Sequence, residues 1–454
     1  MSIPATAAST ETALDIAANL VERARKAGAD AAEALVVEGT SLGVSWRLGK
    51  LEDVERSEGR DIGLRVFIGQ RQATVSSTDL SEAALAPMIE RAVAMARVAP
   101  EDPFCGLADP ALLARDWPDL DIEDKSPAPS AEALAAVAAQ AEEAALAVPG
   151  VTNSSGAGAS FGRSGVALVT SGGFAGSYAG TSSSFSCSVL AGEGTAMERD
   201  YEFSSRRHAA DLESAAEIGR RAGEKAVRRL GPRKVKSQSV PIVYDPRVSG
   251  GLVGHFASAI SGSAIARGTS FLKKEMGKPV FAKGISIVDD PHMKRGLRSK
   301  PFDGEGVMNR RFHLIEDGVL TTWLLDTATA RQLGLETTGH ASRGTGGPPS
   351  PSTTNLYMEA GCLSVKELIA DIRQGLYVTE MIGMGINGVT GDYSRGASGF
   401  WIENGEIAYP VSEITVAGNL KDMFLNMTPA DDLEFRYGTN APTIRVEGMT
   451  VAGS

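Results

Sequence analysis

The chain has 454 residues, 43% hydrophobic and 22% charged, and its 56 acidic side chains outnumber 45 basic ones for a formal net charge of −11. That length supplies two or three cores, and the acidic excess excludes a sequence-independent hold on nucleic acid, which needs a basic surface. No run of 18 apolar residues is present to cross a membrane.

Residues 11–27 place Leu14, Ile16, Ala17, Leu20, Val21 and Ala24 on one side at helical spacing, and Gly28 stops the run. The period then changes. Residues 34–37, 42–48 and 62–68 read as strands, with GKLEDVERSEG between the last two read as turn chemistry. Helices follow over 81–98, closed by Pro100 and Pro103, and over 131–147 behind the loop SPAPS. Residues 150–205 are rich in Gly, Ser and Thr, yet Phe161, Phe174, Tyr178, Phe185 and Val189 recur between the small residues. That alternation predicts antiparallel strands rather than disorder.

A helix over 211–230 ends in the connector GPRKVKSQ, which sets an expected domain boundary near 231–238. Beyond it SVPIVYDP reads as a strand, and EDG and ENG mark hairpin turns. A helix over 364–374 carries Ser364 and Glu367 in capping-box spacing. The expected fold class is α+β in two domains: a mixed N-terminal domain over 1–232 and a largely antiparallel β domain with a few helices over 233–454. Cys105, Cys187 and Cys362 are odd in number and far apart, so no disulfide framework is expected. The N-terminal MSIPATAASTETALDIAANL lacks the basic and apolar regions of a secretory signal, and a cytoplasmic location is expected.

The stretch SGGLVGHFASAI at 249–260 is the sharpest candidate for chemistry. Leu252, Val253, Phe256, Ala257 and Ile260 form an apolar stripe, while Gly251, His255 and Ser258 fall on another face, with Ser249 as N-cap. Gly250, Gly251 and Gly254 weaken the helix by about 1 kcal/mol each. They imply close approach of another backbone or an emptied space. One histidine without a neighbouring carboxylate is not a metalloenzyme helix.

Elsewhere His208 reads as a surface residue, His292 as part of a turn capped by Asp289 and Asp290, and His313 as a cross-strand contact. His340 lies in a long Gly/Pro/Ser/Thr loop read as a solvated or interface segment, with Arg343 available to pair a peptide carboxylate. Cys362, just before a helix, reads as a buried structural thiol rather than a nucleophile. The glycine-dense residues 384–400 bring Asn387, Tyr393 and Arg395 into turns that could line a groove for an extended peptide.

These stretches, with SEGRDIGLRVFIGQRQATVSSTDLS, GTSFLKKEMGKPV, FDGEGVMNRRFHLIEDGVLTTWLLDTATARQLG and ASGFWIENGEIAYPVSEITVAGNLKDM, resemble the TldD/PmbA family, in its PmbA (TldE) branch. In the TldD branch the helix carries His-Glu-x-x-x-His, and laid on this chain the three positions are Gly250, Gly251 and His255. The cysteine ligand that the TldD branch supplies near its C-terminus has no counterpart in DDLEFRYGTNAPTIRV.

The resemblance implies a chain without catalytic residues or metal of its own. Such a chain pairs with a zinc-bearing TldD-type subunit that cleaves or matures unfolded or extended peptides. His340, Arg343, Asn387 and Tyr393 are the candidate substrate-binding residues. The rivals are a stand-alone, homodimeric peptide-binding protein and a metal-independent peptidase using His255 or Cys362.

Overall fold

A computed structural model describes residues 6–453, which leaves the first five residues of the stretch read for a signal outside the described residues. The first part is built on a six-stranded, wholly antiparallel sheet in the order β3-β2-β1-β4-β5-β6. Its strands are β1 (Ala31–Arg47), β2 (Lys50–Ile68), β3 (Arg71–Ser77), β4 (Val151–Thr170), β5 (Ala175–Ala191) and β6 (Glu198–Arg206). The helices α1 (Thr6–Lys26), α2 (Glu82–Val98), α3 (Ala131–Leu146) and α4 (Ala215–Arg228) all lie on one face. There Leu20, Ile89 and Val93 cover Val36, Leu64 and Val66, while Leu134, Ala138 and Ile218 cover Phe185, Cys187 and Val189.

The segment GKLEDVERSEG is not a loop. It forms the first half of β2, paired residue by residue with the end of β1. Residues 51–59 are exposed on both faces, so no apolar alternation marks the strand. In β4 and β5 the small residues take one face and the apolar ones the other. Ser41, Gly43 and Ser45 of β1 oppose Gly162, Ser160 and Gly158, which oppose Ser182, Ser184 and Ser186. The Gly/Ser-rich region is therefore ordered sheet whose polar face is open.

Helix α4 presses on α3 through Gly219, where a Cβ would stand 1.9 Å from the Ala141 carbonyl oxygen. Gly219→Ala is expected to lower stability by about 1–3 kcal/mol, because overpacking outweighs the gain in helix propensity. Urea unfolding should show a lower midpoint at unchanged slope.

The second part begins with β7 (Gln238–Tyr244). Its order runs Glu406–Asn419, Asp392–Glu403, Gln374–Ile382, β7, Ile444–Ala452, with Met427–Pro429 added at the edge. Thr415, Val416 and Ala417 also pair with Ala452, Val451 and Thr450, so five of these strands close into a barrel. Pairing is antiparallel except between β7 and Gln374–Ile382. A second sheet of short strands packs nearby, ending in Asn355–Met358 beside Thr439–Asn440.

Helix α5 (Pro246–Ala259) follows β7 directly. Its cap is Asp245, which accepts from the Arg247 N–H and from the Tyr377 hydroxyl, with Pro246 in the first turn. Ser249 is not the cap. It is fully buried, and its hydroxyl donates to the Ala441 carbonyl. The expected helix over 364–374 is only Val365–Ile369, because Gln374 already begins a barrel strand, but its Ser364–Glu367 capping box is formed. Among the described residues no helix is long and apolar enough to cross a membrane.

The two parts meet through Phe302, which packs on Phe174 with ring centroids 4.8 Å apart, and along a polar seam. Glu33 and Arg65, cross-strand partners on β1 and β2, are joined by Arg343 from the 340–351 hairpin. Beside them the Thr345 backbone sits so close over Gly63 that a Cβ there would lie 2.3 Å from its carbonyl oxygen. Thr345 also donates its hydroxyl to Asp61.

Candidate functional site

Helix α5 buries Leu252, Val253 and Phe256 in the barrel core and leaves its other side accessible at Gly251, Gly254, His255 and Ser258. The glycines there have different causes. A Cβ on Gly250 would stand 2.9 Å from the Thr439 carbonyl oxygen, whereas Cβ atoms on Gly251 and Gly254 would meet nothing within 4 Å. Close packing explains the first, and open space lies over the other two.

His255 borders that space. Its Nε2 is buried without a hydrogen bond, and its ring stands edge-on to Tyr393 with centroids 6.1 Å apart. Burial, then the positive charge of Arg395, lowers its pKa to about 4, so the imidazole is neutral at physiological pH. Tyr393 is buried, and both Tyr244 and the Arg395 charge act on its hydroxyl, while the Tyr244 hydroxyl donates to the Met449 sulfur at 3.4 Å. Arg395 in turn donates from Nε to the Gly383 carbonyl at 2.9 Å.

Sequence reading named His255 and Tyr393 separately and missed Arg395 as the group that joins them. The available signal was the alternation of Tyr393, Arg395 and Ala397 along one face of a strand.

The other candidates lie elsewhere. Asn387 is exposed near the site, but its Oδ1 accepts from the Val389 and Thr390 N–H groups, which makes it a turn-former. The same loop carries Met384, 90% exposed.

His340 is not in a solvated loop. It is 3% exposed, with Nε2 3.3 Å from Asp289 and Nδ1 2.8 Å from the Thr338 hydroxyl. Arg343 is likewise unavailable to a peptide carboxylate, because its side chain is 1% exposed and paired with Glu33. A buried guanidinium keeps the anion that neutralises it. His208 is mostly buried rather than on the surface, its Nε2 2.9 Å from the Asp121 carbonyl. Cys362 is exposed, not buried, and no hydrogen bond among the described residues joins it to a histidine.

Zinc in a peptidase takes three protein ligands and keeps an open position for water. The residues on α5 do not fit it, since the Arg395 charge acts against a cation at His255 and the other two signature positions are glycine. Among the described residues no group of three His, Cys, Asp or Glu side chains is placed to hold a metal ion.

Three family models match in order: PmbA/TldA metallopeptidase domain 1 over residues 32–96, the central domain over 123–230 and the C-terminal domain over 237–453. The chain is 40% identical over 427 residues to the metalloprotease PmbA of Escherichia coli O157:H7, covering 93% of this chain and 92% of the relative. A crystal structure from Bacteroides thetaiotaomicron, of a protein described as a candidate modulator of DNA gyrase, superposes with a TM-score of 0.89. The two are 28% identical, with 97% and 98% of the chains covered. TldE from Thermococcus kodakarensis shares the fold at a TM-score of 0.86 and 22% identity, covering 96% of this chain and all of that one. Identity sustained over nine-tenths of both chains, with the family's segments in sequence, places this chain in the PmbA/TldD family of metallopeptidases.

Proposed function

We propose that this chain is the metal-free, non-catalytic subunit of a heteromeric zinc peptidase of the TldD/TldE type, working in the cytoplasm on unfolded or extended peptides. The observation that carries the reading is the pair Gly250 and Gly251, standing where the family motif has a metal ligand and the general base. The imidazole that is left, His255, feels the charge of Arg395, which opposes a metal cation as it opposes a proton. Hydrolysis then belongs to a zinc-bearing TldD-type partner, whose glutamate activates the metal-bound water. The open side of α5 serves peptide binding instead.

Reconstitution tests this. The purified chain with added zinc should leave unfolded casein intact, and mixing with the TldD-type subunit should start hydrolysis. Replacing the partner's motif glutamate with glutamine should then cut the rate by about 10²–10⁴-fold, while Cys362→Ser in this chain leaves it unchanged. Hydrolysis by this chain alone overturns the proposal.

A further inference from the structure

Arg395 is a cation without a counter-ion. Its hydrogen bond among the described residues is to a neutral group, the Gly383 carbonyl, and it forms no ion pair with a described carboxylate. The groups around it repeat the pattern. His255, Tyr393 and Tyr244 all feel the Arg395 charge, and among the described residues no acidic side chain acts on any of the three, although Tyr244 and Tyr393 also act on each other.

Tyr393, two residues before Arg395 on the same strand, stands against the His255 ring at 6.1 Å between centroids, and the helix surface there is cleared at Gly251 and Gly254. A half-buried cation is costly unless an anion or strong acceptors reach it. The adjoining loop offers Ile382, Met384 and Val389 to solvent, 60%, 90% and 55% exposed. Apolar side chains next to a single cation suit a peptide better than a polyanion, as does the chain's net charge of −11.

We infer that the open side of α5 is a carboxylate-binding site for peptides, in which Arg395 takes the anion beside the floor left by Gly251 and Gly254. A guanidinium–carboxylate contact of this kind is a charge-assisted bond. The inference rests on the proposed peptide-handling role and names what part of the peptide the site recognises. The carboxylate is either the peptide's α-carboxyl end or an acidic side chain.

The test is fluorescence binding of amino-terminally dansylated tetra-alanine to the full chain, without zinc or partner. The free acid should bind about tenfold more tightly than its C-terminal amide, the size of one net charge-assisted bond. Arg395→Gln should bring the acid to the affinity of the amide, and Arg395→Lys should keep part of the preference.

An amidated peptide carrying one glutamate separates the sources. Binding like the acid assigns the site to side-chain carboxylates, and binding like the plain amide assigns it to the α-carboxyl end. Equal affinity of acid and amide, an acid preference that survives Arg395→Gln, or no binding of either at millimolar peptide overturns the inference. Because nothing here depends on hydrolysis, the site stands if the chain proves active alone. It falls, with the subunit role intact, if reconstitution succeeds and acid preference is absent.

Discussion

Glu33→Gln is expected to cost about 3–5 kcal/mol of stability, the scale for breaking a buried ion pair from one side. Glu33 is 1% exposed and holds two cations, Arg65 at 2.8 Å and Arg343, whose side chains are 4% and 1% exposed. Removing the anion strands both guanidinium groups in a seam that water does not reach. The effect extends beyond one pair, because Arg343 anchors the 340–351 hairpin to the first sheet.

Urea unfolding followed by tryptophan fluorescence measures the loss. A double substitution, Glu33→Gln with Arg343→Met, should cost less than the sum of the two singles, since each removes a charge that the other would leave unpaired. Strict additivity would show that the three groups do not act as a unit.

The same seam explains which parts of the molecule could be read from the sequence. The helices over 81–98 and 131–147 follow local period, the second also capped by Ser130, and the structure places them at Glu82–Val98 and Ala131–Leu146. The Gly/Ser region was legible because Phe185, Cys187 and Val189 keep the strand period under α3 and α4. Barrel closure was not, since it depends on Thr415–Ala417 meeting Thr450–Ala452, a register that no local pattern encodes.

His340 and Arg343 looked like binding residues because their loop is polar and glycine-rich. Glu33 lies 310 residues before Arg343, and without it the pair cannot be seen. On α5 the sequence located the helix and its missing ligands, but the ring against His255, Tyr393, comes from a strand much later in the chain.

Glu305 gives the seam a pH dependence. Burial first, and the neighbouring Asp303 carboxyl second, push its pKa from the usual value of 4.5 up to about 8. Its Oε2 accepts from the N–H and hydroxyl of Thr327, at 2.8 and 2.7 Å, bonds that a neutral carboxyl can also accept. Asp303 is raised too, again chiefly by burial, and the two share the titration.

The sign follows from proton counts. Between the unfolded value near 4.5 and the folded value near 8, the native state holds a proton that the unfolded chain has released. The stabilisation from this group is therefore complete below the unfolded pKa and lost as pH rises through the folded one, at a slope of up to about 1.4 kcal/mol per pH unit. Glu305→Gln keeps the acceptor for Thr327 and abolishes the ionisation. Its stability should match the wild type near pH 4.5 and exceed it increasingly towards pH 8. Unfolding measured across that range decides the matter, and parallel curves for the two proteins would rule out a buried, protonated Glu305. In the Glu33→Gln protein the dependence should weaken, because the unpaired Arg343, which Glu305 already feels, then favours the ionised form and draws the folded pKa down.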